Sequence, residues 1–172
     1  MQITLLTHAR EVFKKTNTGQ LVQQIVPNTQ TIIWQRTEPD AALLQQLKLN
    51  NTALLYFVDE AESTENIEDY ENFILIDSTW QEARKIFNRS PYLQTLPKIK
   101  LSFKQNSKYH LRRNQVEGGL CTAECVIELL RVKKCFDAAN ELQESFERFI
   151  TQPVIVESQI FKLHLNNKLS NI

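Results

Sequence analysis

The sequence predicts an α/β layered domain built on a largely parallel sheet. Two observations predict it. Short apolar, β-branched runs alternate along the chain with segments of helical periodicity. One such run, Phe73–Ile76, leads directly into an acid and then a helix start, the strand–turn–helix order of a parallel sheet. The 172 residues suit one domain with a hydrophobic core of its own.

In chain order, Ile3–Thr7 reads as a first strand. A polar turn, Thr16-Asn17-Thr18-Gly19, precedes a short helix over Gln20–Ile25. Gln30–Gln35 is a β-branched strand carrying Trp34. Pro39 stands near the start of a helix bearing Ala42, Leu43, Leu44 and Leu47. Thr52–Val58 reads as a buried strand, and Phe73–Ile76 as a central one. A helix follows from Trp80 to Phe87, with Thr79 and Glu82 spaced for a capping box, in which hydroxyl and carboxylate satisfy backbone N–H groups at a helix start. Pro91 and Pro97 bracket a connection to a strand candidate at Ile99–Phe103. From Ala123, residues Val126, Ile127 and Leu130 follow the spacing of a core-facing helix. Asp137 is placed to cap a last helix bearing Leu142, Phe146, Phe149 and Ile150, ended by Pro153. Val154–Leu165 adds an edge-strand candidate before a polar tail.

Composition narrows the function. Apolar residues make up 42% and charged residues 23%, ordinary for a globular protein. No apolar run approaches the roughly 20 residues of a membrane helix, and the N-terminal stretch does not read as a signal peptide; the expectation is a cytoplasmic protein with no membrane contact. Cys121, Cys125 and Cys135 cannot pair completely and contain no C-x-x-C, so buried apolar thiols are expected rather than a metal site.

Twenty basic residues balance twenty acidic ones, but unevenly. Asp59–Glu71 holds seven acids and no base, and reads as a solvated loop; Lys98–Arg113 holds six bases and no acid. The basic stretch suits phosphate contacts with a nucleic acid, or is a solvated ribbon. The only glycines are Gly19, Gly118 and Gly119, so neither a G-x-G-x-x-G turn nor a Walker A loop can be written. A nucleotide-like ligand would have to bind by another route.

Four blocks carry a resemblance. Asp77-Ser78-Thr79-Trp80-Gln81-Glu82-Ala83-Arg84-Lys85 resembles the signature of DTW-domain proteins, with Ser78 where glycine is usual. His8-Ala9-Arg10-Glu11 with Thr16-Asn17-Thr18-Gly19-Gln20-Leu21 resembles that family's opening block. Leu54-Leu55-Tyr56-Phe57 is similar to its middle strand, and Leu111-Arg112-Arg113 with Leu120-Cys121-Thr122-Ala123-Glu124-Cys125 to its C-terminal block. The blocks stand in the expected order, and among the family's members the chain resembles the bacterial tRNA-uridine aminocarboxypropyltransferases.

The resemblance implies a SPOUT-like α/β fold with a C-terminal trefoil knot. It implies transfer of the 3-amino-3-carboxypropyl group of S-adenosylmethionine to N3 of a uridine in tRNA, with methylthioadenosine as the other product. A methyl-transferring enzyme of the same fold and a noncatalytic RNA-binding relative are the alternatives. The N3 proton must leave, so Asp77 is the candidate general base, against a purely structural place at a helix start. Trp80 either stacks on a base or packs in the core, and Thr79 caps its helix or touches substrate as well. Leu55, Tyr56, Phe57, Leu101, Phe103, Gly119, Leu120 and Thr122 would line the S-adenosylmethionine pocket. Glu124 would orient the amino group, or sit in the first turn of its helix. Arg36, Arg84, Arg112 and Arg113 are candidates for RNA contact. His8 is set aside as more consistent with a packed histidine.

The chain opens directly at the histidine block, without the cysteine-rich zinc segment of many members, so a single domain over 1–172 without metal is expected. Phe57-Val58-Asp59-Glu60 also replaces the usual Pro-Gly turn.

Overall fold

A computed structural model describes residues 1–49, 51–55, 66–101, 107–109 and 119–151. Five parallel strands form one sheet: β1 (Gln2–Thr7), β2 (Thr29–Ile33), β3 (Thr52–Leu55), β4 (Asn72–Asp77) and β5 (Lys98–Ile99), in the order β2-β1-β4-β3-β5. Around it run α1 (Gly19–Ile25), α2 (Ala41–Gln46), α3 (Trp80–Asn88), α4 (Pro91–Gln94), α5 (Thr122–Val132) and α6 (Phe136–Thr151). The parallel α/β architecture expected from the sequence is the one observed.

Both faces of the sheet are covered, and most of the middle positions of β1 and β4 and most of β3 are apolar and buried on one face or the other. On one face Ile3, Leu5, Phe73 and Leu75 pack with Val22 of α1, with Val126, Ile127 and Leu130 of α5, and with Leu142 and Phe146 of α6. On the other, Leu6, Leu54 and Ile74 pack with Leu43 of α2, Ile86 of α3 and Leu93 of α4. Alternate residues of a strand point to opposite faces, so this division fixes where each strand-end side chain goes. Thr7 and Asp77 share parity with Leu5 and Leu75. Both therefore face the α1/α5 layer.

Helix ends follow local chemistry. The Asp40 carboxylate accepts from Leu43 N–H at 2.9 Å and starts α2 just after Pro39. Between α5 and α6 the chain reverses through Lys134, whose φ of 60° is left-handed, and Cys135 N–H bonds back to the Leu130 carbonyl at 2.8 Å.

Four expectations change. Residues bracketed by Pro91 and Pro97 include the short helix α4, whose first position takes a proline that lacks an N–H to lose. The strand expected over Ile99–Phe103 is Lys98–Ile99, two residues at the sheet edge. The strand at Gln30–Gln35 runs instead from Thr29 to Ile33, where pairing with β1 stops. Asp137 lies inside the first turn of α6 rather than capping it, a place the helix dipole favours equally. Residues 56–65 and 152–172, with the acidic loop's first part, the end of the third strand and the edge-strand candidate, lie outside the described residues.

Candidate functional site

β1 and β4 are neighbours, yet the chain leaves them in opposite directions. After β1 it runs through residues 8–18 into α1 on one face and out to β2; after β4 it enters α3 on the other face and runs on to β5. Such a divergence leaves a crevice at the carboxyl ends of the two strands, the usual ligand position in open α/β sheets. Thr7 and Asp77, the last residues of these strands, pair there.

Asp77 is 1% exposed. Its Oδ2 accepts from the Thr7 hydroxyl at 3.2 Å and the Asn17 amide at 3.0 Å, and its Oδ1 accepts from the Thr122 hydroxyl at 2.7 Å. Three donors from distant parts of the chain thus meet one carboxylate. Asn17 is held in turn: its Nδ2 also donates to the Glu11 carbonyl at 3.0 Å, and its Oδ1 accepts from Gly19 N–H at 2.7 Å. Gly19 is required by this packing. A Cβ there would stand 2.6 Å from Asp77 Oδ2 and 2.8 Å from its Cγ, inside contact distance. The first residues of α1 and α5 both lie against Asp77. The carboxylate stands at the strand end where the sequence placed it, and it ties together β1, the loop before α1, β4 and α5.

Beside it, Thr79 caps α3, its hydroxyl accepting from Glu82 N–H at 3.4 Å. The reciprocal half of the expected capping box is not made. Instead Glu82 turns to Lys85 at 3.0 Å and faces His8 Nε2 at 3.9 Å. The Lys85 hydrogen bond holds the Glu82 carboxyl below the usual range, with weaker attraction from His8 and Arg10. Trp80 is half-buried and belongs to neither core cluster. A Cβ on Gly119 would lie 2.7 Å from Trp80 Nε1, so the indole rests directly on that glycine. Leu120 is half-buried next to it.

Glu124 takes the first-turn role left open by the sequence, and more. Its Oε2 accepts from Cys121 N–H at 2.9 Å and from the Ser107 hydroxyl at 2.6 Å, while Oε1 accepts from Lys108 N–H at 2.7 Å. Both oxygens are engaged in joining residues 107–108 to α5, which leaves little for a ligand's amino group. Cys121, packed behind this contact, has its thiol pushed well above the ordinary value by burial, with Glu124 adding to the shift. Leu55 ends β3 and is buried under the α5 side, and Leu101, just beyond β5, packs against the same cluster. Thr122 meets Asp77 as described.

Arg36 and Arg84 are exposed, the first three residues beyond β2 and the second on α3; among the described residues neither makes an ion pair. His8 accepts from Arg10 N–H through Nδ1 at 3.1 Å and stacks obliquely near Trp34, ring centroids 6.1 Å apart. It is a packed, hydrogen-bonded histidine at the edge of the crevice. Tyr56, Phe57, Phe103, Arg112 and Arg113 lie outside the described residues. The sequence reading passed over Thr7 and Asn17 as site residues. The available signal was Asn17 two residues before a glycine, in a loop following a strand.

Comparison with known proteins gives two findings. The family model of the DTW domain matches residues 1–153. The chain is 27% identical over 155 residues to tRNA-uridine aminocarboxypropyltransferase 2 of Drosophila melanogaster, covering 86% of this chain and 61% of that protein's length. No solved structure matches the chain.

Proposed function

The chain belongs to the DTW domain family, and from that premise we propose that it transfers the 3-amino-3-carboxypropyl group of S-adenosylmethionine to N3 of a uridine in tRNA. The observation that carries the reading is convergence. Thr7 and Asn17 from the opening of the chain, Asp77 from the signature block and Thr122 from the C-terminal block meet at one buried carboxylate in the crevice. The activity for which the Drosophila relative is named supplies the reaction class.

In the proposed reaction the uridine N3–carbon bond forms as the sulfur–carbon bond breaks. Methylthioadenosine leaves, and the N3 proton passes to a base. S-adenosylmethionine supplies the alkyl group and its own sulfonium leaving group, so the protein's task is to orient the reacting carbon and accept the proton. Leu55, Leu101 and Leu120, apolar and only partly covered or just buried at the carboxyl edge, suit the adenine and the methylthio end; Gly119 and Thr122 stand beside them. By the family resemblance Tyr56, Phe57 and Phe103 would belong to the same pocket, and a SPOUT-like fold with a C-terminal knot is part of the proposal. Trp80, seated on Gly119 outside the core, is positioned for stacking. Asp77 orders the crevice through Asn17 and Thr122 and is the proposed proton acceptor. Arg36 and Arg84, with Arg112 and Arg113, would meet the tRNA backbone.

The test is incubation with bulk tRNA and S-adenosylmethionine labelled either in the methyl or in the carboxyl carbon. Carboxyl label in RNA is the expected result. Methyl label in RNA would make the chain a methyltransferase. Neither label, with calorimetry detecting tRNA binding but none of S-adenosylmethionine, would make it a noncatalytic RNA-binding protein.

A further inference from the structure

Phe13 is 91% exposed, the most exposed large apolar side chain among the described residues. It does not dangle. The loop that carries it is built from successive turns: Glu11 N–H to the His8 carbonyl at 2.8 Å, Lys14 N–H to the Glu11 carbonyl at 3.1 Å, and Asn17 N–H to the Lys14 carbonyl at 2.9 Å. Gln20 Nε2 adds a 2.6 Å bond to the Val12 carbonyl. The loop is anchored from inside by Glu11 and Asn17, 2% and 3% exposed, and Asn17 in turn grips Asp77. A loop pinned by these bonds that holds an aromatic ring in water, at the carboxyl edge of the sheet, offers that ring to a partner.

Its neighbours set the partner's chemistry. Arg10, Lys14 and Lys15 flank the ring in sequence and are all exposed, while the segment's one acid, Glu11, is buried and bonded to Lys14. Arg10 N–H bonds His8, whose Nε2 stands 3.9 Å from Glu82 of α3, the helix that carries exposed Arg84 and Lys85. An exposed ring among cations fits an unpaired base with its phosphates: the base stacks and the cations meet the backbone.

We propose that Phe13 is a stacking platform for an unpaired base of the RNA substrate, with Arg10, Lys14 and Lys15 holding the adjoining phosphates. This rests on the reading of the chain as an RNA-modifying protein. The stacked base is distinct from the reacting uridine, which belongs in the crevice beside Asp77. The full chain is tested by fluorescence anisotropy against bulk tRNA, a single-stranded oligoribonucleotide and a perfect RNA duplex of the same length. Stacking on an aromatic ring contributes to affinity at each base it holds. Phe13→Ala and Phe13→Leu are therefore expected to weaken tRNA and single-strand binding about tenfold, Phe13→Trp to preserve it, and duplex binding to stay unchanged. Thermal unfolding should match wild type, because the ring covers nothing. Wild-type affinity in Phe13→Ala, equal losses on duplex and single strand, or full affinity in Phe13→Leu would each overturn the platform. The labelled-donor assay on wild type reads separately: tRNA binding that depends on Phe13, without carboxyl label in RNA, removes the proposed reaction and leaves the platform standing. A wild-type chain that binds no RNA overturns both.

Discussion

At the residue scale the decisive group is Asp77. A buried carboxylate that accepts three hydrogen bonds is at once an anchor and a charge, and the two roles separate by substitution. Asp77→Ala leaves donors on Thr7, Asn17 and Thr122 without their acceptor, which is expected to lower unfolding free energy by about 2–3 kcal/mol in denaturant titration. Asp77→Asn fits more easily. Its carbonyl can replace Oδ2 toward Thr7 and Asn17, and its NH2 can donate to the Thr122 hydroxyl, which accepts as readily as it donates. That variant is expected to lose about 1 kcal/mol of stability or less, while transfer falls by about 100-fold or more if the carboxylate takes the N3 proton. Near-wild-type turnover in Asp77→Asn would reduce Asp77 to a positioning residue.

At the scale of elements, the same short signature starts a helix and presents a ring. Thr79 ends the turn after β4 and caps α3, so Thr79→Ala is expected to cost about 1 kcal/mol and Thr79→Ser very little, read as shifts in the unfolding midpoint. A Thr79→Ser protein that is stable yet inactive would give the threonine methyl a substrate contact beyond the cap. The capping box also shows where local pattern loses to surroundings. Thr79 and Glu82 have the right spacing, but Lys85 one turn on and His8 across the crevice draw the carboxylate away. The reciprocal Glu-to-N-cap bond forms instead on α5, between Glu124 and Cys121 N–H, where no Ser, Thr, Asp or Asn advertised it.

For the molecule as a whole, zero net charge hides a division of surfaces. From Trp80 to Leu101 the bases Arg84, Lys85, Arg89, Lys98 and Lys100 face one acid, Glu82, whereas α6 exposes Asp137, Glu141, Glu144 and Glu147 against Arg148. On the proposed function, RNA is therefore expected on the α3 side and repelled from α6. If Arg36 and Arg84 each meet a phosphate, each alanine variant should flatten the slope of log affinity against log salt by about 1, uniformly across tRNA species. Unchanged slopes in both variants would move the RNA path elsewhere. The alternation of strand and helix patterns was enough to read this architecture, because a sheet covered on both faces needs apolar strands and one apolar stripe per helix. Residues Thr7 and Asn17 were not legible as site residues, because nothing in a threonine at a strand end or an asparagine in a turn names its distant partner.

By itself the sequence determined the parallel α/β class, the order of strand, Asp77 and helix, and the blocks that place the chain in its family. These are local or periodic properties, carried by neighbours a few residues apart. Only the tertiary structure decided that β1 and β4 lie side by side with their chains diverging to opposite faces. From that adjacency follow the meeting of Thr7, Asn17 and Thr122 on Asp77, the seating of Trp80 on Gly119 and the engagement of both Glu124 oxygens within the protein. Apart from the Glu124–Cys121 bond, each joins groups 16 to 70 residues apart, and partners at such separations are selected by strand order and packing.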